Sequence, residues 1–308
     1  MNRLHVELGY HYIEGEKRHI HADSEGNVAF RETYLANKLA NRVKVQGRYG
    51  VSWGVVRPEV FLDESYCNVN HVTGKTWLTS EKVRYGKTGK GSRACMIAAG
   101  VIKTRGAVAT GEFVEGSIKV WKSALKRKLW DEDDYHGNFD AEQFERWFQN
   151  LCCTLKAKYG ECNHMDGASS HKRTTNKTPT MSWLKAAMVA WIIDMVGHAF
   201  NPKATKAKLM EIVEQHAETS IYAATTIATS HGYLVYFTPP SHPTLQPIEL
   251  IWGRVKGDIA RRPAKNASDL VSRVMAGLEE HGKAWLSVYR HVQGKEDEDV
   301  ALSAANAE

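Results

Sequence analysis

Three acidic residues in this sequence lie where predicted strands end or a predicted helix begins. Asp63 follows the apolar run 60–62, Asp166 follows a short predicted strand, and Glu249 falls in the first turn of a predicted helix. Clustered carboxylates repel one another without a cation, so at least one of them would keep its proton. Their hard oxygen atoms suit Mg²⁺ or Mn²⁺ better than Zn²⁺. Two such ions would offset the repulsion, activate a water or a 3′-hydroxyl, and stabilise the leaving oxygen of a phosphodiester.

Each acid taken singly has a simpler explanation. Glu249 could merely favour the positive end of the helix dipole, as acids in a first helical turn commonly do. Asp166 is followed by Gly167, and this pair is typical of a turn. The metal hypothesis therefore depends on all three acids converging, and it fails if they lie apart or leave no room for a cation.

The segment that positions Glu249 is 238–256, TPPSHPTLQPIELIWGRVK. It follows YLVYF (233–237), an aromatic run that predicts a buried strand. Four of the eight prolines lie between 239 and 247, and each fixes φ and removes a donor, which predicts a stiff loop. Pro247 suits the first position of a helix. The apolar residues after it recur at helical spacing and predict one buried face: Ile248, Ile251, Trp252, Val255 and Ile259.

Asp63 lies at the end of the first of three predicted strands. The run 58–65 predicts a buried strand that ends at Asp63, and 76–78 and 94–102 predict its partners in an antiparallel meander. The loop EKVRYGKTGKGSR between them is basic and rich in glycine, but it has serine where a phosphate-binding GxxxxGK[ST] motif needs lysine. A solvated hairpin and a loop that contacts a phosphate backbone both fit this composition.

Asp166 is reached through a helix. Asp140 and Gln143 predict a capping box, and the apolar residues from Phe144 to Leu155 recur on one helical face. A short strand over 161–165 follows and ends at Asp166. A strand–helix–strand unit makes a right-handed crossover and returns parallel in the same sheet. If the strand over 161–165 lies beside the strand over 58–65, the two aspartates are neighbours at the carboxyl edge, where ligand sites of open α/β sheets lie. The strand before Glu249 would bring that acid to the same edge.

The remaining segments have separate predictions. Residues 1–56 predict an N-terminal linker or clamp with one short helix around Phe30, Tyr34, Leu35 and Leu39, and 57–295 the main domain. Helical stripes around Trp183 to Met195 and Leu209 to Val213 predict an insertion over about 178–220, either a packed helical hairpin or a small DNA-contacting pair. The acidic end, 296–308, predicts a disordered tail.

Composition limits the classes of protein that fit. The chain has 308 residues, enough to bury a full core, and its net charge of +6 with a pI near 8.9 permits a nucleic-acid partner. Its five cysteines are odd in number and lack CxxC spacing, which predicts a reducing compartment and no structural zinc. The longest apolar stretch is too short to span a membrane, so a soluble protein is predicted.

Three sequence blocks resemble the signature blocks of DDE transposases of the mariner superfamily: FLDESYCNVNHVTGKTWL, HMDGASSHKR and TPPSHPTLQPIELIWGRVK. The similarity runs from about residue 58 to about 293, and the PPxxP…PIExxW block is its most specific part. The resemblance implies an α/β, RNase H-like, mixed five-stranded sheet flanked by helices, with a helical insertion before the last strand. It implies Asp63, Asp166 and Glu249 as ligands of two Mg²⁺ or Mn²⁺ ions for DNA cleavage and strand transfer. His171 stands where the family usually has a histidine, and it would contact phosphate or shuttle a proton.

The same resemblance implies double-stranded DNA, both transposon ends and target, as the partner, with a homodimer as a possible assembly and the nucleus as the location. The weak nuclear address KSALKRK (122–128) also fits a solvated helix face. Predicted DNA contacts are the basic residues in and beside the three blocks: Lys82, Arg84, Lys87, Lys90, Arg93, Lys172, Arg173 and Lys256.

The sequence departs from the family in three ways. Gly167 replaces the asparagine common after the second aspartate, and 82 residues separate Asp166 from Glu249, more than in compact members. The excess falls in the predicted insertion, whose KAKL portion weakly resembles a SAP-type DNA-binding module. Residues 1–56 show no helix-turn-helix rhythm, so the paired helix-turn-helix region that precedes the family's catalytic domain is expected to be absent or truncated. A non-catalytic, host-adopted DNA-binding descendant is therefore the rival hypothesis, and an RNase H-like nuclease of another type is a third.

Overall fold

A six-stranded mixed sheet lies at the centre of the part of the chain that the structure describes. The structure is a computed structural model, and it describes residues 20, 22–47, 50–73, 89–123, 140–166 and 173–305, with only the backbone of Asn163–Asp166. The strands are β1 (Arg42–Gly47), β2 (Gly50–Val55), β3 (Glu59–Asn68), β4 (Arg93–Arg105), β5 (Val108–Phe113), β6 (Lys119–Ser123), β7 (Asn163–Asp166) and β8 (Leu234–Phe237). The helices are α1 (Glu25–Ala40), α2 (Ala141–Lys158), α3 (Lys185–Val196), α4 (Lys206–His216), α5 (Ala223–Ser230), α6 (Pro247–Arg261), α7 (Ala267–His281) and α8 (Trp285–Ala305).

The order of strands in the sheet is β5-β4-β3-β7-β8, and β6 also pairs with β4. β3, β4 and β5 are antiparallel neighbours, whereas β7 lies parallel to both β3 and β8. The RNase H-like mixed architecture is as predicted, but the predicted count of five strands is wrong. Two short strands, β5 and β6, share one edge of the long strand β4, and their burial is too irregular to show as a clear alternation in sequence. The predicted strand 76–78 lies outside the described residues.

Helices cover both faces of this sheet. α2 and α5 pack on one face, and the capping box of α2 forms as predicted, with Asp140 accepting from the backbone of Gln143. α6, α7 and α8 pack on the other face. There the ring of Trp285 lies so close to Gly100 of β4 that an added Cβ would meet it at 2.0 Å. A glycine at this position is therefore what allows α8 to reach the sheet.

The N-terminal segment packs on the core as a helix and a hairpin. Tyr34 and Leu35 of α1 are buried in the main cluster together with Val55 of β2. Phe30 and Leu39, predicted on the same face, are each more than a third exposed. The hairpin of β1 and β2 was not predicted from the sequence. Through Val55 it packs against the same core as the rest of the described chain.

The insertion is a helical hairpin with a small core of its own. Met188 and Ile192 of α3 pack against Leu209 and Val213 of α4, and all four are buried. A backbone bridge between Thr174 and Tyr222 closes its base. The predicted stripe includes residues that are exposed, Leu184 and Met195, because two helices cover only a narrow face of each other. The predicted helices before the last strand are confirmed.

The C-terminal segment contradicts the predicted disordered tail. α8 continues to Ala305, and Glu296 on it is fully buried. Its Oε2 accepts from Arg42 at 2.7 Å, and its Oε1 lies 3.6 Å from Nζ of Lys38, which also pairs with Glu59. The acidic composition of this segment predicted a solvent-exposed tail. The carboxylate of Glu296 is instead paired with cations that lie more than 250 residues earlier in the chain. No described helix is long and apolar enough to cross a membrane, and all five cysteines are free thiols.

The burial of Glu296 should make the free energy of unfolding depend on pH. Burial, partly opposed by Lys38, raises the pKa of this carboxyl group. A raised folded-state pKa contributes stability that is present below the unfolded pKa, near pH 4.3, and is lost as pH rises through the folded value. We expect wild type to lose stability relative to Glu296→Gln as pH rises from 4 to 8, measured by urea unfolding. Glu298 is an exposed acid on the same helix. If Glu298→Gln changes the pH dependence of stability as much as Glu296→Gln does, overall charge and not burial causes the effect.

Candidate active site

The positions of Asp63 and Asp166 lie side by side at the carboxyl edge of the parallel strands. Leu62 is the Cα partner of Asp166, which is the last residue of β7, so Asp63 is the first residue of β3 beyond the parallel ladder. The prediction that this strand ends at Asp63 is wrong, because β3 continues to Asn68. The reason is that its other neighbour, β4, pairs with it along its whole length and places Ala98 opposite Asp63. Asp63 is 9% exposed.

Glu249 is brought to this edge by the loop after β8. Phe237, the last residue of β8, is the Cα partner of Asp166. The chain then passes through a 3-10 turn at Pro243–Leu245 and enters α6, with Pro247 at its start as predicted. Glu249 follows in the first turn and is half-buried. The predicted buried face of this helix, from Ile248 to Ile259, is confirmed.

Gln246 connects the start of α6 to the strand of Asp63. This side chain is 3% exposed, and its Nε2 donates to Thr238 Oγ1 at 3.2 Å and to the carbonyl of Leu62 at 3.5 Å. The amide of Glu249 donates to the carbonyl of Gln246 at 3.1 Å. One buried side chain therefore links the residue before Asp63 with the turn that carries Glu249. Sequence reasoning missed this role, although glutamine directly before a helix-starting proline was visible.

A second contact braces the loop from outside. His242 is buried, and its Nδ1 lies 2.8 Å from the carbonyl of Pro240 while its Nε2 lies 2.8 Å from Nη1 of Arg31 on α1. Because arginine can only donate, the hydrogen-bond network assigns Nε2 as acceptor and Nδ1–H as donor. Arg31 also donates to Asp23 at 3.1 Å. The N-terminal helix thus holds the loop that positions Glu249, a contact that no local pattern indicated.

A groove of about 480 Å³ runs along the outer face of α6 from Glu249. Its lining comes from α6, from the end of α7 and from α8: Glu249, Leu250, Gly253, Arg254, Gly257, Asp258, Arg261, His281, Val288 and His291. Within it Asp258 accepts from His281 at 2.6 Å and pairs with Arg261, and these contacts lower the pKa of its carboxyl group. The groove therefore combines the candidate carboxylate with several basic side chains.

The remaining predicted site residues fall into two groups. Those outside the described residues are Lys82, Arg84, Lys87, His171 and Lys172. Of the others, Lys90 is exposed, and Arg173 forms two hydrogen bonds with Glu145, at 2.6 and 2.7 Å, so DNA would have to compete with this carboxylate. Arg93 and Lys256 both lie over the ring of Tyr66.

For Asp166 the structure describes the backbone alone. The β3–β7 register relates its position to Asp63, and Gln246 relates the start of α6 to Leu62. Among the side chains that are described, no group of three or more His, Cys, Asp or Glu could hold a metal ion. The candidate ligand set is carboxylate only, which is the chemistry that Mg²⁺ and Mn²⁺ prefer.

Gly253 offers a separate test of the groove. It lies inside α6 one turn after Glu249, and an added Cβ would meet no atom within 4 Å. Since glycine within a helix costs roughly 0.5–1 kcal/mol relative to alanine, Gly253→Ala should raise the free energy of unfolding by about that amount. Urea unfolding measures this. Gly100→Ala, with Trp285 in the way, should change stability in the opposite direction; a loss in both variants would contradict the open face of α6.

Comparison with known proteins agrees with this architecture. Residues 133–271, which include Asp166 and Glu249 but not Asp63, match the family model described as DDE superfamily endonuclease. The crystal structure of the Mos1 strand transfer complex matches with a TM-score of 0.52 and 11% identity, over 100% of this chain and 69% of that chain. A pre-cleavage Mos1 transpososome matches with a TM-score of 0.49 and 10% identity, over 100% and 70%. None of the curated proteins compared with the chain matches it.

The family match covers residues 133–271, less than half of the chain, and shows that this segment is similar to DDE superfamily endonucleases. The predicted resemblance to DDE transposases agrees with this match, and the fold of the chain is similar to that of the Mos1 structure.

Proposed function

We propose that this protein cuts DNA strands and joins DNA ends in a reaction that depends on divalent metal ions. The observation that supports the proposal is the register that pairs Leu62, next to Asp63, with Asp166, together with the contact of Gln246, three residues before Glu249, with Leu62. Asp166 and Glu249 lie within the segment that matches DDE endonucleases. The ends of a mobile DNA element and a target duplex would be its substrates. The name of the fold relative, a strand transfer complex, supports this choice of reaction.

The residues present fit a divalent cation. Asp63, Asp166 and Glu249 would hold it through carboxylate oxygens, and a cation would offset the cost of placing the largely buried carboxylate of Asp63 beside two others. When bound, a pair of ions would supply charge neutralisation and activation of a water or a 3′-hydroxyl. Gln246 would keep the spacing between β3 and α6, and the basic side chains of the groove would hold the phosphate backbone.

Plasmid nicking tests the proposal. Purified protein with Mg²⁺ or Mn²⁺ should convert supercoiled plasmid to the nicked form, and EDTA should stop the conversion. DNA binding without nicking under any of these conditions would support instead the rival reading, a non-catalytic DNA-binding descendant. Action in the nucleus and assembly as a homodimer are part of the proposal. The location follows from the substrate, and the homodimer follows from the resemblance to the transposase family.

A further inference from the structure

An exposed tyrosine beside the candidate active site carries two cations. The guanidinium carbon of Arg93 lies 4.3 Å from the centre of the Tyr66 ring, and Nζ of Lys256 lies 5.8 Å from it. The three side chains come from β3, β4 and α6, and Tyr66 is 50% exposed although it lies on a central strand. A large aromatic side chain in such a position is open to a ligand.

The cluster lies at an open edge of β3. β7 pairs with β3 only as far as Leu62, so in the described part of the chain the residues from Asp63 to Asn68 have a strand neighbour on one side alone. Tyr66 is three residues beyond Asp63, about 10 Å along a strand. Lys256 is seven residues beyond Glu249, about 10 Å along a helix. Both elements therefore lead from the acid positions to the same aromatic ring.

No carboxylate in the described part of the chain pairs with the two cations of this cluster. Among the described residues neither Arg93 nor Lys256 forms an ion pair with an acid, and the two like charges share one ring. Two other cation–ring contacts of the chain are balanced by a carboxylate. Lys103 lies 4.7 Å from the centre of the Tyr159 ring and pairs with Glu112 at 2.6 Å, and Lys38, over Phe61, pairs with Glu59. Two unbalanced cations held near each other favour an anion as the ligand.

We infer that Tyr66, Arg93 and Lys256 bind the phosphate backbone of DNA next to the acid cluster. The inference rests on the proposed function for its choice of ligand. In it, the two cations contact phosphate oxygens, and the ring of Tyr66 positions both cations at a fixed distance from Asp63 and Glu249. The ring would also offer its exposed part to a sugar or a base, since aromatic side chains and cations together are typical of sites that follow a nucleic-acid strand.

Salt dependence of DNA binding tests this site. Affinity for a duplex of 30 base pairs would be measured in EDTA, so that no strand is cut, over a series of salt concentrations. Arg93→Ala and Lys256→Ala should each reduce the slope of log affinity against log salt by about 1, the value for one phosphate contact. Tyr66→Ala should weaken binding without a change of formal charge, and Tyr66→Phe should restore it. Lys103→Ala, a matched cation over a tyrosine with its own carboxylate, should leave the slope unchanged.

The outcomes separate this inference from the proposed function. If wild type nicks plasmid but Arg93→Ala and Lys256→Ala keep the full salt slope, the phosphate site is overturned and the proposed cleavage stands. Reduced slopes in these variants, together with a wild type that never nicks, would support the site and overturn the proposed cleavage. An equal loss of slope in Lys103→Ala would mean that only overall charge matters, which also overturns the site.

Discussion

Asp166→Asn is expected to reduce metal-dependent nicking of supercoiled plasmid by more than about 100-fold, since even changes in the shell around metal ligands cost 10–100-fold. The substitution keeps the size of the side chain and removes its charge and one of its ligand oxygens. Asp63→Asn and Glu249→Gln should have the same effect, because all three acids are proposed as ligands of the same metal ions. The measurement is the initial rate of nicking with Mg²⁺ and with Mn²⁺.

Two controls make this result interpretable. Glu279→Gln, an exposed acid on α7 away from the groove, should nick like wild type. Binding of Mn²⁺ should raise the melting temperature of wild type and should do so less in the three acid variants, because a ligand stabilises the state that binds it. Nicking by Asp166→Asn at the wild-type rate would point to a contaminating nuclease, and unchanged stabilisation by Mn²⁺ would remove these acids from the metal site.

Lys38→Met is expected to cost about 3–5 kcal/mol of unfolding free energy, the usual cost of breaking a buried ion pair by removing one partner. Lys38 is fully buried, pairs with Glu59 and lies near Glu296, and its ammonium group stands over the rings of Phe61 and Tyr289. Glu59 keeps hydrogen bonds from Asn41 at 2.9 Å and from Tyr289 at 3.1 Å, but these neutral donors do not replace a cation. Urea unfolding at pH 7 measures the loss.

A surface pair supplies the comparison. Lys158 pairs with Glu115 where both side chains are well exposed, so Lys158→Met should change stability by less than about 1 kcal/mol. The double variant Lys38→Met with Glu59→Leu should recover part of the loss, because an apolar replacement removes the unpaired charge as well. If Lys38→Met is as stable as Lys158→Met, the buried pair that joins the first helix, the strand of Asp63 and the last helix does not stabilise the fold as proposed.

Much of the candidate site was predictable because its signals are local. The prolines before Glu249, the helical spacing from Ile248 to Ile259, and the Asp140–Gln143 capping box act within one or two turns of chain, and the structure has them as predicted. The sequence predicted that Asp63 and Asp166 are adjacent if their strands are neighbours, and the pairing of β3 with β7 meets that condition. The roles of Gln246, Arg31 and Tyr66 were missed, since each depends on a partner in another element.

The sequence by itself determined the strands and the helix that lead to the three acids, because spacing along the chain is enough to define a buried face there. Only the tertiary structure decided that β3 runs on past Asp63, that Glu296 is buried instead of belonging to a disordered tail, and that Arg31 meets His242 across 211 positions of sequence. Composition measures how polar a segment is, but the partner that neutralises a charge is chosen by packing. The acidic residues near the end of the chain therefore predicted a solvent-exposed tail, whereas in the folded protein one of them, Glu296, is paired with Lys38 and Arg42.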